Sequence, residues 1–395
     1  MADQNKNKIL TIMFFIVLAD MIGFGFVIPL LPYYAKQFGA TDFLIGLLGS
    51  VYPLGQIFAS PLIGRLSDKI GRKKALLLSV GGTFTSLLIL GFARSLSLIF
   101  LSRLTDGLTG GNITVAQSYI SDLTDQKDRA KSLGMIGAAF GLGFIIGPAL
   151  GGFLSRFGVS VPAFVAAGLS FTNLMMIIFL LPESKPENSR RVPFTFEEMK
   201  KTVFSPQMRP LIFIKLFYSF GFTTFESTFA LFAMKRLSST LSTTSFILTY
   251  IGILVVFSQG FLVGKIAKRY AETNILRLIM PLVAPFMFLY SISKSVPVLL
   301  FFITPISLGS ALIGVSFTSL ITKNVSKDKF GGTIGFFNSI DSLMRILSPV
   351  LGGAIIQFLG PALKGTFEGI FIFLAFLILI LFYIPITSKE FGRES

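Results

Sequence analysis

The chain alternates between long apolar stretches and short polar turns along nearly its whole length. Each stretch is about 20 to 30 residues long, and an α-helix needs about 20 apolar residues to cross the hydrocarbon core of a bilayer. The pattern therefore predicts an all-α membrane protein with twelve transmembrane helices. The predicted helices cover residues 9–34, 43–65, 74–93, 97–121, 131–155, 161–182, 209–233, 243–264, 274–293, 296–322, 331–358 and 365–386.

The longest polar segment lies between the sixth and seventh predicted helices and carries charges of both signs. It divides the chain into two halves with six predicted helices each. We therefore expect an N-terminal six-helix bundle over residues 1–182, a cytoplasmic linker over 183–208 and a C-terminal six-helix bundle over 209–395.

The two halves are related by an internal repeat at an offset of about 200 residues. The second and eighth predicted helices end alike, in Gly64 and Arg65 and in Gly264 and Lys265. The fifth and eleventh share a second pattern, formed by Gly134, Pro148, Gly151 and Gly152 and by Gly335, Pro349, Gly352 and Gly353. Such a parallel repeat is typical of secondary transporters, whose substrate site lies near the bilayer midplane between the halves.

Composition supports the assignment to a membrane. Of the 395 residues, 52% are hydrophobic and only 14% are charged. The formal net charge of +16 raises the question of nucleic-acid binding, but most Lys and Arg residues fall in the N-terminus, the even-numbered interhelical loops and the C-terminus. This positive-inside bias places both termini in the cytoplasm, and no long basic run interleaved with aromatic residues indicates a nucleic-acid partner.

The chain contains no cysteine and no histidine. A disulfide framework and a thiolate metal site are therefore excluded, and any proton chemistry falls to carboxylates. We see no metal-ligand cluster and no nucleophile motif, so we expect neither a cofactor nor enzymatic activity. The first apolar run contains Asp20 and Pro29 but no small-residue cleavage site, which predicts a retained first helix rather than a signal peptide.

The loop between the second and third predicted helices, residues 64–74, combines glycines with charged side chains. Gly64 allows close approach of a neighbouring helix, and Asp68 suits a helix N-terminus. The loop resembles the cytoplasmic motif of the major facilitator superfamily, which lies at the same place in the chain. The resemblance implies a gating role for Gly64, Asp68, Gly71 and Arg72. In that role Asp68 and Arg72 hold the outward-open state through the start of the eleventh helix; the alternative is that these charges only set the topology.

The fifth predicted helix is rich in glycine, which lowers helical propensity but lets helix backbones pack closely. This pattern resembles the antiporter motif of the drug/proton antiporter branch of the same superfamily. The first helix, from Asp20 to Pro32, is similar to that of tetracycline/proton antiporters. The segment Leu101–Gly107 resembles the Arg-containing motif of the fourth helix, although Asp106 stands where a neutral residue is usual. The antiporter-like positions are Gly143, Gly147, Pro148, Gly151 and Gly152, for which close helix packing is the alternative interpretation.

Ionisable residues inside a membrane are costly, so each needs a partner or a function. Arg103 and Asp106 are spaced i, i+3, which places them on one helix face. Asp341 and Arg345, spaced i, i+4, are arranged in the same way. Two structural ion pairs are one interpretation, but they leave Asp20 and Glu226 without a partner on their own helices. Lys215 lies near the cytoplasmic end of the seventh helix and can extend its side chain to the interface, so we assign it no chemistry.

Together with this set of carboxylates, the resemblance implies a proton-coupled transporter that exports a lipophilic or cationic drug-like compound by alternating access. The candidate proton and substrate residues are Asp20, Arg103, Asp106, Glu226, Asp341 and Arg345. The expected partners are a small-molecule substrate, protons and membrane lipids, and the expected form is a monomer in the cell membrane. The alternatives are a carrier of the same fold for sugars, organic anions or lysolipids, and a non-transporting membrane receptor or scaffold.

Overall fold

A computed structural model describes residues 2–184, 202–325 and 329–385, and every regular element in these ranges is helical. The helices in the first part of the chain are α1 (Ala2–Gln37), α2 (Asp42–Ile70), α3 (Arg72–Gly91), α4 (Leu96–Leu108 and Asn112–Leu123), α5 (Gln126–Leu154) and α6 (Val161–Leu180). Those in the second part are α7 (Met208–Leu237), α8 (Leu241–Phe257, Ser258–Leu262 and Val263–Ile266), α9 (Glu272–Ile292), α10 (Val296–Lys323), α11 (Phe330–Phe358) and α12 (Pro361–Ile378 and Leu379–Tyr383).

Ten of the described helices are long and apolar enough to cross a membrane. Of the other two, α7 carries Lys215 and Glu226 in its central region, which lowers its hydropathy, and α4 is divided into parts of 13 and 12 residues, each too short to cross a bilayer by itself. The twelve described helices follow the predicted stretches in order. The predicted linker at 183–208 lies mostly outside the described residues.

The helix α4 is broken, although the apolar pattern predicts one continuous helix over 97–121. Its first part ends at Leu108 and its second part begins at Asn112, with Gly110 and Gly111 in between. Glycine costs about 1 kcal/mol relative to alanine inside a helix, so two consecutive glycines favour an interruption at this point. The break changes the direction of the side chains that follow it.

The last helix, α12, begins at Pro361 and not at the predicted position 365. Proline is favoured in the first turn of a helix because its missing N–H is not needed there. The earlier start places Lys364 inside the helix, one turn before Glu368. Neither residue is among the predicted site residues.

Two compact units form the chain. The first unit consists of residues 1–190 together with 239–252, and the second consists of 191–238 together with 253–395. The division therefore lies close to the predicted linker, except that the start of α8 packs with the first unit.

In the first unit, α1 packs against α5 and α6, and α3 packs against α4 and α6. The start of α8 is bonded to the end of α1 by Tyr33. The Tyr33 hydroxyl donates to the backbone oxygen of Ser239 at 2.9 Å and lies 2.6 Å from Thr244 Oγ1. These contacts attach residues 239–252 to the first unit.

In the second unit, α7 packs against α11 and α12, and α9 packs against α10 and α12. The pair α7 and α11 repeats the pair α1 and α5. A Cβ added at Gly151 of α5 would lie 3.2 Å from Phe26 Cα of α1. A Cβ added at Gly352 of α11 would lie 2.8 Å from Thr228 Oγ1 of α7. Gly151 and Gly352 thus have the same packing role in both units, whereas a Cβ added at Gly134 or Gly335 would have no atom within 4 Å.

Candidate functional site

A cavity of about 40 Å³ lies inside the first unit, large enough to hold a water molecule. Side chains from α1, α2, α3, α4 and α6 line it. Its charged and titratable side chains are Asp20 of α1, Tyr52 of α2, and Arg103 and Asp106 of α4. The fold therefore brings together three of the six predicted proton and substrate residues.

Arg103 and Asp106 form the ion pair that their spacing predicts. Arg103 Nη1 donates to Asp106 Oδ2 at 3.2 Å, and the two residues are only 2% and 7% exposed. Arg103 Nη2 also donates to Ser86 Oγ at 3.1 Å and to Ser102 Oγ at 3.0 Å. Arg103 Nε, by contrast, is buried without a hydrogen-bond partner. The pair thus keeps one free donor beside the cavity.

Asp20 is half-buried at the cavity and accepts a hydrogen bond from Asn112 Nδ2 at 3.0 Å. Asn112 Nδ2 also donates to Thr83 Oγ1 at 3.3 Å. Asp106 lies close enough to Asp20 for the two negative charges to repel each other. Asn112 and Thr83 were not among the predicted residues, because a neutral polar residue in a helix carries no signal of its position. Gly110 and Gly111, just before Asn112, favour a helix break and were the signal that could have pointed to this position.

In the second unit, Asp341 is paired with Lys215 and not with Arg345. Lys215 Nζ lies 2.8 Å from Asp341 Oδ2, and Ser219 Oγ donates to Asp341 Oδ1 at 2.6 Å. The interpretation of Asp341 and Arg345 as an ion pair is therefore wrong. The reason is that α7 packs against α11 and presents Lys215 and Ser219 to Asp341, while Arg345 lies on the exposed face of α11.

Glu226 also lies on an exposed helix face, in the middle of α7. Within the described ranges it has no ion pair and no hydrogen bond. The three predicted residues of the second unit are therefore not gathered around one cavity. Lys215 joins the set of candidates because it holds Asp341.

The second unit also contains a buried charged cluster that the sequence analysis missed. Lys364 Nζ lies 2.5 Å from Glu368 Oε1 and donates to the Tyr290 hydroxyl oxygen at 2.7 Å. The Tyr290 hydroxyl donates to Glu368 Oε2 at 2.5 Å. Lys364 is 0% exposed and Glu368 1% exposed. Opposite charges spaced i, i+4 in an otherwise apolar helix were the signal that could have found them.

The predicted gating residues lie where α2 meets α3. Gly71 joins the two helices with a φ of +100°, a conformation that favours glycine. Arg72 is buried and bridges two carboxylates: its Nη1 lies 2.6 Å from Asp68 Oδ1, and its Nε lies 2.7 Å from Asp122 Oδ2. Asp122 of α4 was not among the predicted residues. Gly64 has Thr114 of α4 nearby, 3.5 Å from an added Cβ.

The residues that follow α6 are hydrogen-bonded to α4 and to the junction between α2 and α3. Glu183 Oε1 accepts from the backbone N–H of Lys73 at 2.9 Å, which places a negative charge at the N-terminus of α3. Ser184 accepts from the backbone N–H of Arg72 at 3.0 Å, and the Tyr119 hydroxyl donates to the backbone oxygen of Pro182 at 2.7 Å. The start of the predicted linker is therefore fixed to the first unit.

The glycines of α5 are packing positions in this structure. A Cβ added at Gly147 would lie 2.7 Å from Gly25 Cα of α1, and one at Gly143 would collide with Met21 of α1. A Cβ at Gly152 would lie 2.5 Å from Ser245 Cβ of α8. Pro148 faces Gly25 of α1, and Gly151 faces Phe26 of α1. Close packing of α5 against α1 and α8 therefore explains the glycines at these positions.

Among the described residues, no group of three or more acidic side chains could hold a metal ion. The chemistry that the cavity offers is hydrogen bonding and proton exchange at its carboxylates.

Residues 13–349 match the Major Facilitator Superfamily. The chain belongs to this superfamily. Its fold is the twelve-helix transporter fold of that family, and the chain is a multi-pass membrane transporter. The family consists of transporters and not of enzymes.

Bacterial resistance proteins are among its relatives. Multidrug resistance protein 1 of Bacillus subtilis (strain 168) is 28% identical over 362 residues, which cover 89% of this chain and 90% of that protein. Tetracycline resistance protein, class B, of Escherichia coli is 32% identical over 264 residues, covering 65% of this chain and 66% of that protein. Quinolone resistance protein NorA of Staphylococcus aureus (strain N315) is 26% identical over 358 residues, covering 88% and 90%.

Solved structures of other transporters share the fold. The human organic anion transporter MFSD10 (TETRAN) has a TM-score of 0.69 and 22% identity, covering 95% of this chain and 99% of that one. A bacterial homolog of the human lysosomal transporter Spinster, in an inward-facing and unoccupied conformation, has a TM-score of 0.75 and 16% identity, covering 96% and 95%. At these identities the likeness concerns the fold alone.

Proposed function

We propose that this protein exports a lipophilic or cationic compound across the cell membrane in exchange for protons, by alternating access. The names of its relatives describe multidrug, tetracycline and quinolone resistance, which supports export of drug-like compounds. In this proposal the protein acts as a monomer among membrane lipids, with both termini in the cytoplasm as the loop charges favour.

The cavity of the first unit is the observation that carries the proposal. It holds two carboxylates, Asp20 and Asp106, against one guanidinium, that of Arg103. Asp106 is matched by Arg103, so the negative charge of Asp20 is left unbalanced. A carboxylate in a low-dielectric site beside room for water is suited to take and release a proton. Asp20 is therefore our first choice for the coupling residue.

The second unit supplies further candidates in this proposal. Glu226 is exposed and available to a cationic substrate or to a proton. Asp341 is held by Lys215 and would become available if that pair opened. Asp68 and Arg72 would gate the cytoplasmic side, with Asp122 as a second anchor for Arg72.

Purified protein in liposomes provides the direct test. Ethidium, a lipophilic cation, serves as the probe, and export is followed by its fluorescence with and without an imposed pH gradient. We expect wild-type protein to export ethidium faster when the gradient drives protons inward. We expect Asp20→Asn to lose this dependence, because an amide cannot exchange the proton.

The matched control is Asp125→Asn, which changes a highly exposed carboxylate far from the cavity lining. It should retain the response to the gradient. Equal export by wild-type protein with the gradient collapsed would remove proton coupling from the proposal.

One observation favours a second candidate, the transport of an organic anion. Arg345 is exposed on α11 and forms no ion pair within the described part of the chain, so it could bind an anionic group. Binding measurements distinguish the two functions. If the protein exports cations in exchange for protons, ethidium binding should weaken as the pH falls. If it transports organic anions, an aromatic carboxylate should bind and should lose affinity in Arg345→Gln.

A further inference from the structure

Asn112 lies at the break in α4, where the backbone is held by the side chain of Ser79 from α3. The backbone N–H of Gly111 donates to Ser79 Oγ at 2.9 Å, and Ser79 Oγ donates to the backbone oxygen of Thr109. These bonds replace the helical ones that the break removes. They fix the position from which the Asn112 side chain enters the cavity.

The carboxamide of Asn112 is only half satisfied in the cavity. Its Nδ2 donates to Asp20 Oδ1 at 3.0 Å and to Thr83 Oγ1 at 3.3 Å, which uses both N–H donors. Its oxygen, Oδ1, is buried and has no hydrogen-bond partner. A buried acceptor without a donor costs about 1–3 kcal/mol, so such atoms are uncommon unless another state satisfies them.

Thr83 connects Asn112 with the ion pair. Because Thr83 Oγ1 accepts from Asn112, its own hydroxyl hydrogen is free to point elsewhere. The Asp106 carboxylate lies within reach of that hydroxyl. Asp106 in turn accepts from Arg103 Nη1 at 3.2 Å. A chain of polar groups therefore runs from Asp20 through Asn112 and Thr83 to Asp106.

We propose that Asn112 is a positioning residue that senses the protonation of Asp20 by turning its carboxamide over and passes this state through Thr83 to the Arg103–Asp106 pair. The proposal deepens the proposed function and rests on it, since it requires that Asp20 exchanges protons. Asn112 is uncharged and is hydrogen-bonded both to Asp20, the proposed proton site, and to Thr83, the next group in the chain.

The proton balance of the switch involves only hydrogen bonds and one O–H bond. A proton from cavity water binds one oxygen of Asp20, which thereby becomes a donor. Rotation of the Asn112 carboxamide by half a turn then presents Oδ1 to this donor and to the Thr83 hydroxyl, and it turns the two Nδ2 hydrogens to the former position of Oδ1, where cavity water accepts them. The Thr83 hydrogen leaves Asp106 for Asn112, so Asp106 depends on Arg103 alone. Release of the proton to water reverses each step.

The other charged and titratable side chains that line the cavity with Asp20 are Tyr52 of α2 and Arg103 and Asp106 of α4. The lining from α3 and α6 is uncharged and includes Thr83 and Ser170. Gln56 provides an internal comparison, because it is a second carboxamide in the same cavity. Its Nε2 donates to the Tyr52 hydroxyl at 2.8 Å and not to Asp20.

Infrared difference spectroscopy of the purified protein tests the switch without any transport. The spectrum of acid minus neutral protein reports the carboxyl C=O stretch of newly protonated Asp20, identified by its absence in Asp20→Asn. Protein grown with asparagine labelled at the carboxamide carbon reports any Asn carboxamide that changes its hydrogen bonds. We expect a labelled carboxamide signal with the same pH midpoint as the Asp20 signal. It should disappear in both Asn112→Ala and Asp20→Asn.

Gln56→Ala is the matched control, and it should keep both signals. Titration of Asp20 without a matching signal from Asn112 would overturn the switch and leave proton coupling intact. A switch signal combined with ethidium export that ignores the pH gradient would instead overturn the proposed function and support the sensing step. Absence of any Asp20 titration would overturn both.

Thr83 supplies a second test if Asn112→Ala folds poorly. Thr83→Val removes the hydroxyl at nearly constant volume, and Thr83→Ser retains it. We expect Thr83→Val to reduce gradient-driven ethidium export about tenfold, the effect of losing a hydrogen bond to a charged group. Thr83→Ser should restore most of it. Equal export by the two variants would show that Thr83 does not relay the state of Asn112.

Discussion

The Arg103–Asp106 pair of the first unit and the Lys364–Glu368 pair of the second are both opposite charges on one helix face, but their surroundings differ. Lys364 contacts Glu368 and the Tyr290 hydroxyl, and its Nζ lies 5.3–5.6 Å from the ring centroids of Phe225, Phe232 and Tyr290. No polar side-chain atom of this cluster is left unpaired. The pair of the second unit is therefore fully enclosed.

The pair of the first unit borders a cavity and leaves polar groups unpaired. Arg103 Nε and Asn112 Oδ1 are buried without partners, and there is room for water beside them. A satisfied network stabilises one arrangement, whereas a partly satisfied one leaves hydrogen bonds that a second arrangement can form. The difference teaches that two ion pairs with similar spacing can have different surroundings. Unpaired atoms next to a cavity distinguish the pair that we propose to be functional.

The largest effect is expected for the enclosed cluster. Glu368→Gln leaves the Lys364 ammonium buried without a counter-charge, which costs about 3–5 kcal/mol. We expect a large fall in the thermal stability of detergent-purified protein, measured as the fraction that remains monodisperse after heating. The double variant Lys364→Met with Glu368→Leu should regain most of the loss, because it removes both charges. Glu226→Gln, at an exposed site on α7, is the control.

A smaller loss is expected from Tyr290→Phe, which deletes one hydroxyl and keeps the ring. That hydroxyl bonds to both charged groups of the cluster, so its removal should cost about 2 kcal/mol. The same heating assay measures it. Stability unchanged from wild type would mean that the cluster is not the closed network that its geometry indicates.

The wall of the first-unit cavity depends on the contact between α1 and α5. Gly147→Ala places a Cβ 2.7 Å from Gly25 Cα, so α1 must move, at a cost of about 1 kcal/mol or more. Because Asp20 lies on α1, we expect weaker gradient-driven ethidium export as well as lower thermal stability. Gly137→Ala on the same helix has no atom within 4 Å of the added Cβ and should behave as wild type.

The smallest effect on stability is expected for Asp106→Asn, although it also removes one charge of a buried pair. Arg103 keeps Ser86 and Ser102 as acceptors, the new carboxamide still accepts, and cavity water can complete the site. We expect a loss of about 1 kcal/mol or less in the heating assay, and a clear change in the pH dependence of export. A loss as large as that of Glu368→Gln would erase the contrast between the two pairs.

Much of the fold could be predicted because a transmembrane helix has a strong and local signal. The twelve apolar stretches and the repeated glycines needed only hydropathy and spacing. The break in α4 was missed because the apolar pattern continues across Gly110 and Gly111. Lys364 was missed because the predicted helix began after it. Both errors arose at helix boundaries, where hydropathy carries little information.

The candidate site could be predicted only in part. The Arg103–Asp106 pair lies on one helix, so spacing alone identified it. The pair of Lys215 and Asp341 joins two helices, and its identification requires knowing which faces of α7 and α11 meet. Asn112 could not be identified from sequence patterns for a different reason: its proposed role depends on two neighbours on other helices, Asp20 and Thr83, and on one atom that lacks a partner.

The attachment of residues 239–252 to the first unit has a consequence for biosynthesis. A chain folds as it leaves the ribosome, and early domains usually complete their folding before later ones are made. Here the contacts of Tyr33 with Thr244 and of Gly152 with Ser245 join residues separated by the whole of α7. The first unit thus cannot finish folding until part of α8 has been synthesised. Although α7 belongs to the second unit, it must be inserted into the membrane before the first unit is fully assembled.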